Sequence, residues 1–222
     1  MYKYETHLHT SESSACARST GAEMARAIKK AGYAGAIITD HFFNGNCAIR
    51  GNHSWRERIR LFMRGYENAK REGDKIGLDI YFGFEYAMHG TEFLIYNFNE
   101  EQLVAYPEIM RDSFEKASDR IRSEGGFIIH AHPFREEPYV QQPGRIFPES
   151  TDAVEALNIM QPPESNNKAW EYAESYNLIK VGGSDAHSTE SVKGGVSFAQ
   201  NPASLEELIS MIKQNRHTVL GG

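Results

Sequence analysis

Short apolar runs rich in β-branched residues alternate with longer segments of helical spacing along most of the 222-residue chain. YKYETHLH (2–9) predicts a strand, and GAEMARAIKKA (21–31) a helix, with Thr20 and Glu23 placed as a capping box and Gly32 as the stop. AGAIITD (34–40) predicts a buried strand. Ser54 and Glu57 open a polar helix over roughly 55–73. Strands follow at 78–85 and 91–98, then a helix at 108–124 that ends on Gly125-Gly126. GFIIHAH (126–132) is a strand running into Pro133, and DAVEALN (152–158) is another. A helix at 163–177, a strand at 178–185, a short strand near 195–199 and a helix at 205–215, capped by Ser204 with Glu207, complete the pattern.

Strands that alternate with helices imply parallel pairing through crossover helices. Six or seven such units suit a βα barrel, complete or not, better than a sandwich or a bundle; an open doubly wound sheet is the alternative. No G-x-G-x-x-G follows the first strand, so a dinucleotide site has no support. The length suits one domain over residues 1–222.

Composition narrows the classes further. Hydrophobic residues make up 40% and charged residues 24%, as in ordinary globular proteins. A net charge of −6, with nine histidines counted neutral, argues against a general nucleic-acid binder. Cys16 and Cys47 are too few for a disulfide framework and suit a reducing compartment. The first residues lack an apolar signal-like run, and no stretch approaches a membrane span, so a cytoplasmic protein with no membrane partner is expected.

Chemistry gathers at the predicted strand ends. His7 and His9 end the first strand, Asp40 and His41 the second, and Glu85 the third, in YFGFE. His132 ends a later strand in IIHAHP, and Asp185 with His187 ends another in VGGSDAH. In a parallel barrel all these ends share one face. Each motif alone has a plain reading, as packed histidines, a helix cap or a turn. The conjunction is what points to a site. Imidazoles and carboxylates without thiolates suit zinc, manganese or iron. So many ligands exceed one tetrahedral ion, which implies two or three divalent metals, with Glu85 as a bridge. Arg135, three residues after His132, has the planar fork for a phosphate. Arg18 and Lys193 are further candidates in loops at the same end, and Arg50 and Arg145 lie in longer loops. Segments 42–53 and 134–149 are long enough to shape a pocket, with Phe42, Phe43, Phe134, Tyr139 and Phe147 as candidate stacking groups or lid residues.

HLHT, ITDH, the isolated Glu85, AHPFR and GGSDAH resemble the ordered motifs of the PHP (polymerase and histidinol phosphatase) family, from His7 to about His187. The resemblance implies a distorted (β/α)7 TIM-like barrel with a multinuclear metal centre at the strand C-termini. It makes His7 and His9 the first ligand pair, His41 a ligand of a third metal and Glu85 the bridging carboxylate. His132, Asp185 and His187 complete the set; His130 matches no usual ligand, but two residues before His132 it points the same way on the strand and is a candidate for a place behind the ligands. Two positions depart from the family pattern. Ser14 and Ala15 stand where an aspartate or histidine is usual, leaving Glu12, or less plausibly Cys16, as a substitute. Glu92 stands near where a histidine is usual, beside His89, and is the expected second-metal ligand. The implied activity is hydrolysis of a small phosphomonoester or a phosphoprotein by a metal-bridging hydroxide, with Arg135 and Arg18 on the substrate and Asp185 or His187 handling the leaving group's proton. Hydrolysis of an amide or lactone carbon, or a non-catalytic regulatory module, are the alternatives.

Overall fold

The computed structural model describes residues 1–138 and 140–221. Among these, nine strands form one curled sheet in the order β7-β6-β5-β4-β3-β2-β1-β8-β9. They are β1 (Tyr2–Glu5), β2 (Gly35–Ile38), β3 (Asp79–Met88), β4 (Thr91–Tyr96), β5 (Phe127–Ala131), β6 (Ala153–Asn158), β7 (Ile179–Gly183), β8 (Gly195–Phe198) and β9 (Thr218–Leu220). The helices are α1 (Gly21–Lys30), α2 (Trp55–Phe62), α3 (Arg64–Ile76), α4 (Glu100–Val104), α5 (Phe114–Ser123), α6 (Pro163–Ser175) and α7 (Leu205–Lys213). No described helix is long and apolar enough to cross a membrane.

The architecture is the expected α/β barrel, but its strands are not all parallel. β1, β2 and β3 run parallel, as do β5, β6 and β7, while β4 is antiparallel to both β3 and β5. The reason is local. β3 continues past Glu85 to Met88 and turns through His89 and Gly90, both at positive φ (52° and 86°). Two successive positive-φ residues match the twist of a tight hairpin. Six strands therefore still deliver their C-terminal ends to one mouth, and the reversed β4 delivers its first residues there.

Closure between β7 and β1 depends on the chain beyond each strand. Leu8 and Ala186 form a parallel bridge, with His9 N–H donating to Ala186 O at 2.9 Å. Beneath it lies the fully buried carboxylate of Glu5. It accepts the N–H groups of Thr6, His7 and Ser184 at 3.0, 3.1 and 2.9 Å, and the Ser184 hydroxyl at 2.5 Å. One acid thus ties the exit of β1 to the exit of β7. Burial pushes its pKa up against those four donors.

Helix boundaries follow the capping chemistry where it exists. The Thr20–Glu23 and Ser54–Glu57 boxes are both formed, and Ser204 accepts from Glu207 N. The single helix expected over 55–73 is two helices meeting at Met63. The segment expected as one helix over 108–124 is a 3-10 turn at Pro107–Met110 followed by α5, which Ser113 caps. Proline at the start of that turn and a new N-cap after it divide the segment.

Candidate metal centre

The spacing of His7 and His9 turns both imidazoles into the barrel, while Leu8 between them packs into the apolar layer with Ile38 and Ala186. Both rings are fully buried. Their outer nitrogens are committed. His7 Nδ1 lies 2.9 Å from Glu155 Oε1, a carboxylate that can only accept. His9 Nδ1 lies 3.1 Å from Ser14 Oγ. That hydroxyl already gives its own proton to Asp40 Oδ1 (2.6 Å) and accepts from His41 N (2.9 Å), so His9 must be the donor. The hydrogen-bond network thereby assigns the Nδ1–H tautomer to both rings. His187 is set the same way, with Nδ1 2.8 Å from the Asp185 carbonyl.

The inner nitrogens then face one another. His7 Nε2 and His9 Nε2 are 3.2 Å apart. Asp185 Oδ1 lies 3.2 Å from His9 Nε2 and 3.5 Å from His7 Nε2, and Glu85 Oε1 lies 3.3 Å from His7 Nε2. Ligands bound tetrahedrally at about 2.0–2.1 Å are separated by about 3.3 Å. His7, His9 and Asp185 therefore fit one ion, with Glu85 beside it on the His7 side. Glu85 also reaches a second set. Its Oε1 is 3.2 Å from His132 Nε2, and its Oε2 is 2.5 Å from His41 Nδ1 without hydrogen-bond geometry. Glu92 stands 3.6 Å from His132 Nε2 and 3.7 Å from His41 Nδ1. A third group, His9, His41 and His187, offers ligand atoms within 4.8 Å of one another. His41 Nδ1, Glu85 Oε2 and Asp185 Oδ2 are buried without a hydrogen-bond partner. Buried polar atoms are rarely left so, and divalent cations are the partners this donor set fits.

Electrostatics agrees. Burial, and then the charge of His41, push His9 down to about 3, so its Nε2 keeps a lone pair. At His7 burial is outweighed by the charges of Glu155, Asp185 and Glu85, which hold the imidazole well above its ordinary value. Burial opposes ionisation of Glu85, but His41 and His7 hold it well below the usual carboxylate range. Burial and the Glu85 charge push Glu92 up to about 7. A site this rich in acids and lone pairs holds protons where a cation would otherwise sit.

Backbone geometry aims two of these side chains. His132 and Asp185 sit at positive φ (24° and 51°) just past β5 and β7, a strained region that clusters at functional sites. Gly183 makes room behind them. A Cβ there would overlap Glu155 Oε1 and lie 2.7 Å from His7 Cβ.

The other expected residues divide. Arg135 reaches the cluster, with Nη1 3.4 Å from Glu92 Oε2 and Nη2 3.5 Å from Asp185 Oδ2. It lines a cavity of about 510 Å³ together with Cys16, His41, Asn44, Glu92 and His187. Glu12 does not join. Its carboxylate accepts from Gly21 N (3.0 Å) at the start of α1 and from Asn68 Nδ2 (2.9 Å) on α3. Arg18 is exposed and contributes only its backbone N–H, 2.8 Å from His187 O. Lys193 and Arg50 are exposed, and Arg145 packs over the Phe147 ring. His130 is not behind the ligands. It stacks on Phe93 in the aromatic layer, where burial, and then the charge of His132, push it down to about 3. Phe42 and Phe147 belong to the apolar core, with Phe43 packed against it, and Phe134 packs beside Val154 and Tyr172; none of them lines the cavity. Tyr139 lies outside the described residues.

Three positioning groups escaped sequence reasoning: Glu155, Ser14 and Glu5. A charged residue inside short apolar DAVEALN was the available signal for Glu155.

Residues 163–217 match the family model described as PHP-associated. A two-domain protein from Bacteroides vulgatus, containing a predicted PHP-like metal-dependent phosphoesterase, superposes with a TM-score of 0.70 over 98% of this chain at 16% identity. The two share a fold. This chain spans 64% of the length of the Bacteroides protein. A candidate metal-dependent phosphoesterase from Bifidobacterium adolescentis superposes with a TM-score of 0.58, at 15% identity and with 96% of each chain covered. So does an amidohydrolase from Chromobacterium violaceum with bound sulfate and no metal, with a TM-score of 0.60, 13% identity and 98% of each chain covered. No curated protein matches the chain by sequence. Identities this low show a shared fold and leave the reaction to the chemistry of the site.

Proposed function

We propose that this chain is a metal-dependent hydrolase of phosphoric esters, acting on a small phosphomonoester or a phosphoprotein, with its catalytic unit the barrel over residues 1–222. One observation carries the reading. His7 Nε2 and His9 Nε2 face each other at 3.2 Å while both Nδ1 protons are committed outward. Two lone pairs so placed, beside Glu85 and Asp185, call for a cation. His7, His9, Glu85 and Asp185 would hold one divalent ion, and Glu85, His132, Glu92 and His41 a second; zinc, manganese and iron all suit the donors. Ions held there would supply a nucleophilic water at neutral pH and neutralise charge on the phosphoryl oxygens.

The chain's own groups supply the rest. Glu92 and Asp185 hold the Arg135 guanidinium at the cavity wall. Its fork offers paired donors to the outer phosphate oxygens. Asp185 is 1% exposed and faces other site groups, which suits a ligand and not a proton donor. His187, with its side chain 26% exposed, is the one of that pair that lines the cavity, which suits it to the proton of the leaving oxygen.

Protein supplied with manganese or zinc should release phosphate from an aryl phosphate and from some member of a phosphomonoester panel, and His9→Ala should abolish release. Metal-replete protein that hydrolyses nothing in a broad panel would remove the proposal. The amidohydrolase among the fold neighbours favours a second reading, hydrolysis of an amide or lactone carbon. Arg135→Ala separates the two. A phosphoesterase loses phosphate affinity, whereas a carbon hydrolase keeps its rate.

A further inference from the structure

We infer that the substrate is the monophosphate of a small, uncharged hydroxyl compound, and neither a bisphosphate nor an amine-bearing ester. This class rests on the phosphoesterase reading above and names its leaving group. Water's oxygen bonds to phosphorus, the ester P–O bond breaks, and the leaving oxygen takes a proton, so a neutral alcohol departs.

The walls of the cavity of about 510 Å³ beside the metal centre carry the inference. Its volume lies within the range of small-molecule pockets. Part of the wall is the extension of β3 beyond Glu85. Residues two apart on a strand face the same side, so Ala87 follows Glu85 outward, and Gly90 at the hairpin turn continues the surface. The loop after His41 adds Asn44, Gly45 and Asn46. Asn44 is spent on the wall itself. Its Nδ2 donates to Ala87 O at 2.5 Å, and its Oδ1 accepts from Ala87 N at 3.3 Å. Gly45 is not at positive φ, and a Cβ there would meet Ala87 Cβ and His41 Cβ at an ordinary 3.5 Å. Neither backbone nor packing demands glycine, so the missing side chain adds room to the cavity. The exposed Asn46 side chain makes no hydrogen bond among the described residues, which leaves its amide for a ligand hydroxyl.

Charge decides the class. Among the described residues, Arg135 is the one lysine or arginine that lines this cavity, and the transferred phosphate takes up its fork. A second phosphate would face amides and alkyl groups, and a charge withdrawn from water without a partner is costly. Arg18, Lys193 and Arg50 are exposed and outside the lining, and Arg145 packs over Phe147. A substrate amine fares no better. The one carboxylate in the lining, Glu92, lies 3.4 Å from Arg135 Nη1. Glu136, Glu137 and Glu164 line a separate cavity of about 240 Å³ that touches this one at Arg135, and there Lys168 pairs with Glu136 at 3.3 Å.

The test uses the full, metal-loaded chain and reads binding rather than turnover. Three phosphonates of similar size contain no ester to hydrolyse and differ in charge at the far end. 2-Hydroxyethylphosphonate is neutral there, 2-aminoethylphosphonate cationic and phosphonoacetate anionic. Half-buried Cys16 lines the cavity and Cys47 is buried, so occupancy is read as protection of Cys16 from iodoacetamide, by mass spectrometry with Cys47 as the reference. Hydroxyethylphosphonate should protect at a concentration at least about fivefold below the other two. Asn46→Lys should bring phosphonoacetate level with it, and Asn46→Asp should do the same for aminoethylphosphonate. Equal protection of the unaltered chain by all three, stronger protection by a charged one, or protection by none overturns the assignment. Hydrolysis is scored apart. Turnover of phosphomonoesters without this binding preference removes only the substrate class, whereas the preference without turnover of any phosphoester removes only the reaction.

Discussion

Glu155→Gln tests the tautomer reasoning on which the centre rests. Glu155 is 1% exposed and accepts three hydrogen bonds, from His7 Nδ1 at 2.9 Å, His132 N at 3.0 Å and Asn158 Nδ2 at 2.9 Å. Glutamine keeps the shape but has one oxygen and one NH2. If the oxygen faces His7, the NH2 meets two donors, His132 N–H and the Asn158 amide. If it faces those donors, the NH2 meets His7 Nδ1, which must then give up its proton to Nε2 and lose the lone pair aimed into the site. A buried group left unsatisfied costs about 1–3 kcal/mol. Losing the partner that orients a ligand histidine typically weakens metal binding about 10–100-fold, equivalent to about 1.4–2.8 kcal/mol. We therefore expect a 10–100-fold weaker zinc affinity in a chelator-competition titration, with the apo protein still folded by circular dichroism. Unchanged affinity in a folded variant would refute the tautomer assignment and, with it, the inward lone pair of His7.

Two further outcomes follow from the same geometry. Without bound metal, burial disfavours charged imidazoles at His7, His41 and His132, but neighbouring carboxylates outweigh it and raise all three. Their stabilisation is complete below the ordinary histidine value of about 6.5 and is lost as pH rises through the raised values. Metal must displace those protons, so metal-supported stability grows with pH. The melting-temperature gap between zinc-loaded and chelator-treated protein should widen from about pH 6 to about pH 8, and a constant gap would contradict this account. Glu12→Ala should cost about 0.5–2 kcal/mol in urea denaturation, as the loss of a helix cap does, while every metal equivalent is retained by elemental analysis; a lost equivalent would return Glu12 to the ligand set.

Much of the site was legible because ligand chemistry is written in residue type and strand position. His7, His9, His41, Glu85, His132, Asp185 and His187 each punctuate an apolar run, and a barrel's strand ends share a face whatever the loops do. Arg135 follows from its distance along the chain to His132. Glu12 and Cys16 could not be ranked this way. Both lie in an irregular loop, and only the fold shows that Glu12 turns to α1 and Asn68 while Cys16 lines the cavity with His41 and His187. His130 misled because strand alternation assumes regular backbone; positive φ at His132 breaks the alternation and leaves His130 in the aromatic layer.

The sequence by itself determined the apolar strands, the capped helices and the polar residues at their ends, because these depend on periodicity and near-neighbour chemistry. Tertiary structure alone decided which way β4 runs, and so how Glu92, at the start of its strand, comes to lie beside His132 and His41. It also decided which protons the histidines keep. Those depend on Glu155, Ser14 and the Asp185 carbonyl, and two of the three partners lie on residues remote in the chain or in an irregular loop. A hydrogen-bond acceptor acts through distance in space, and sequence separation carries no information about that distance until the barrel closes.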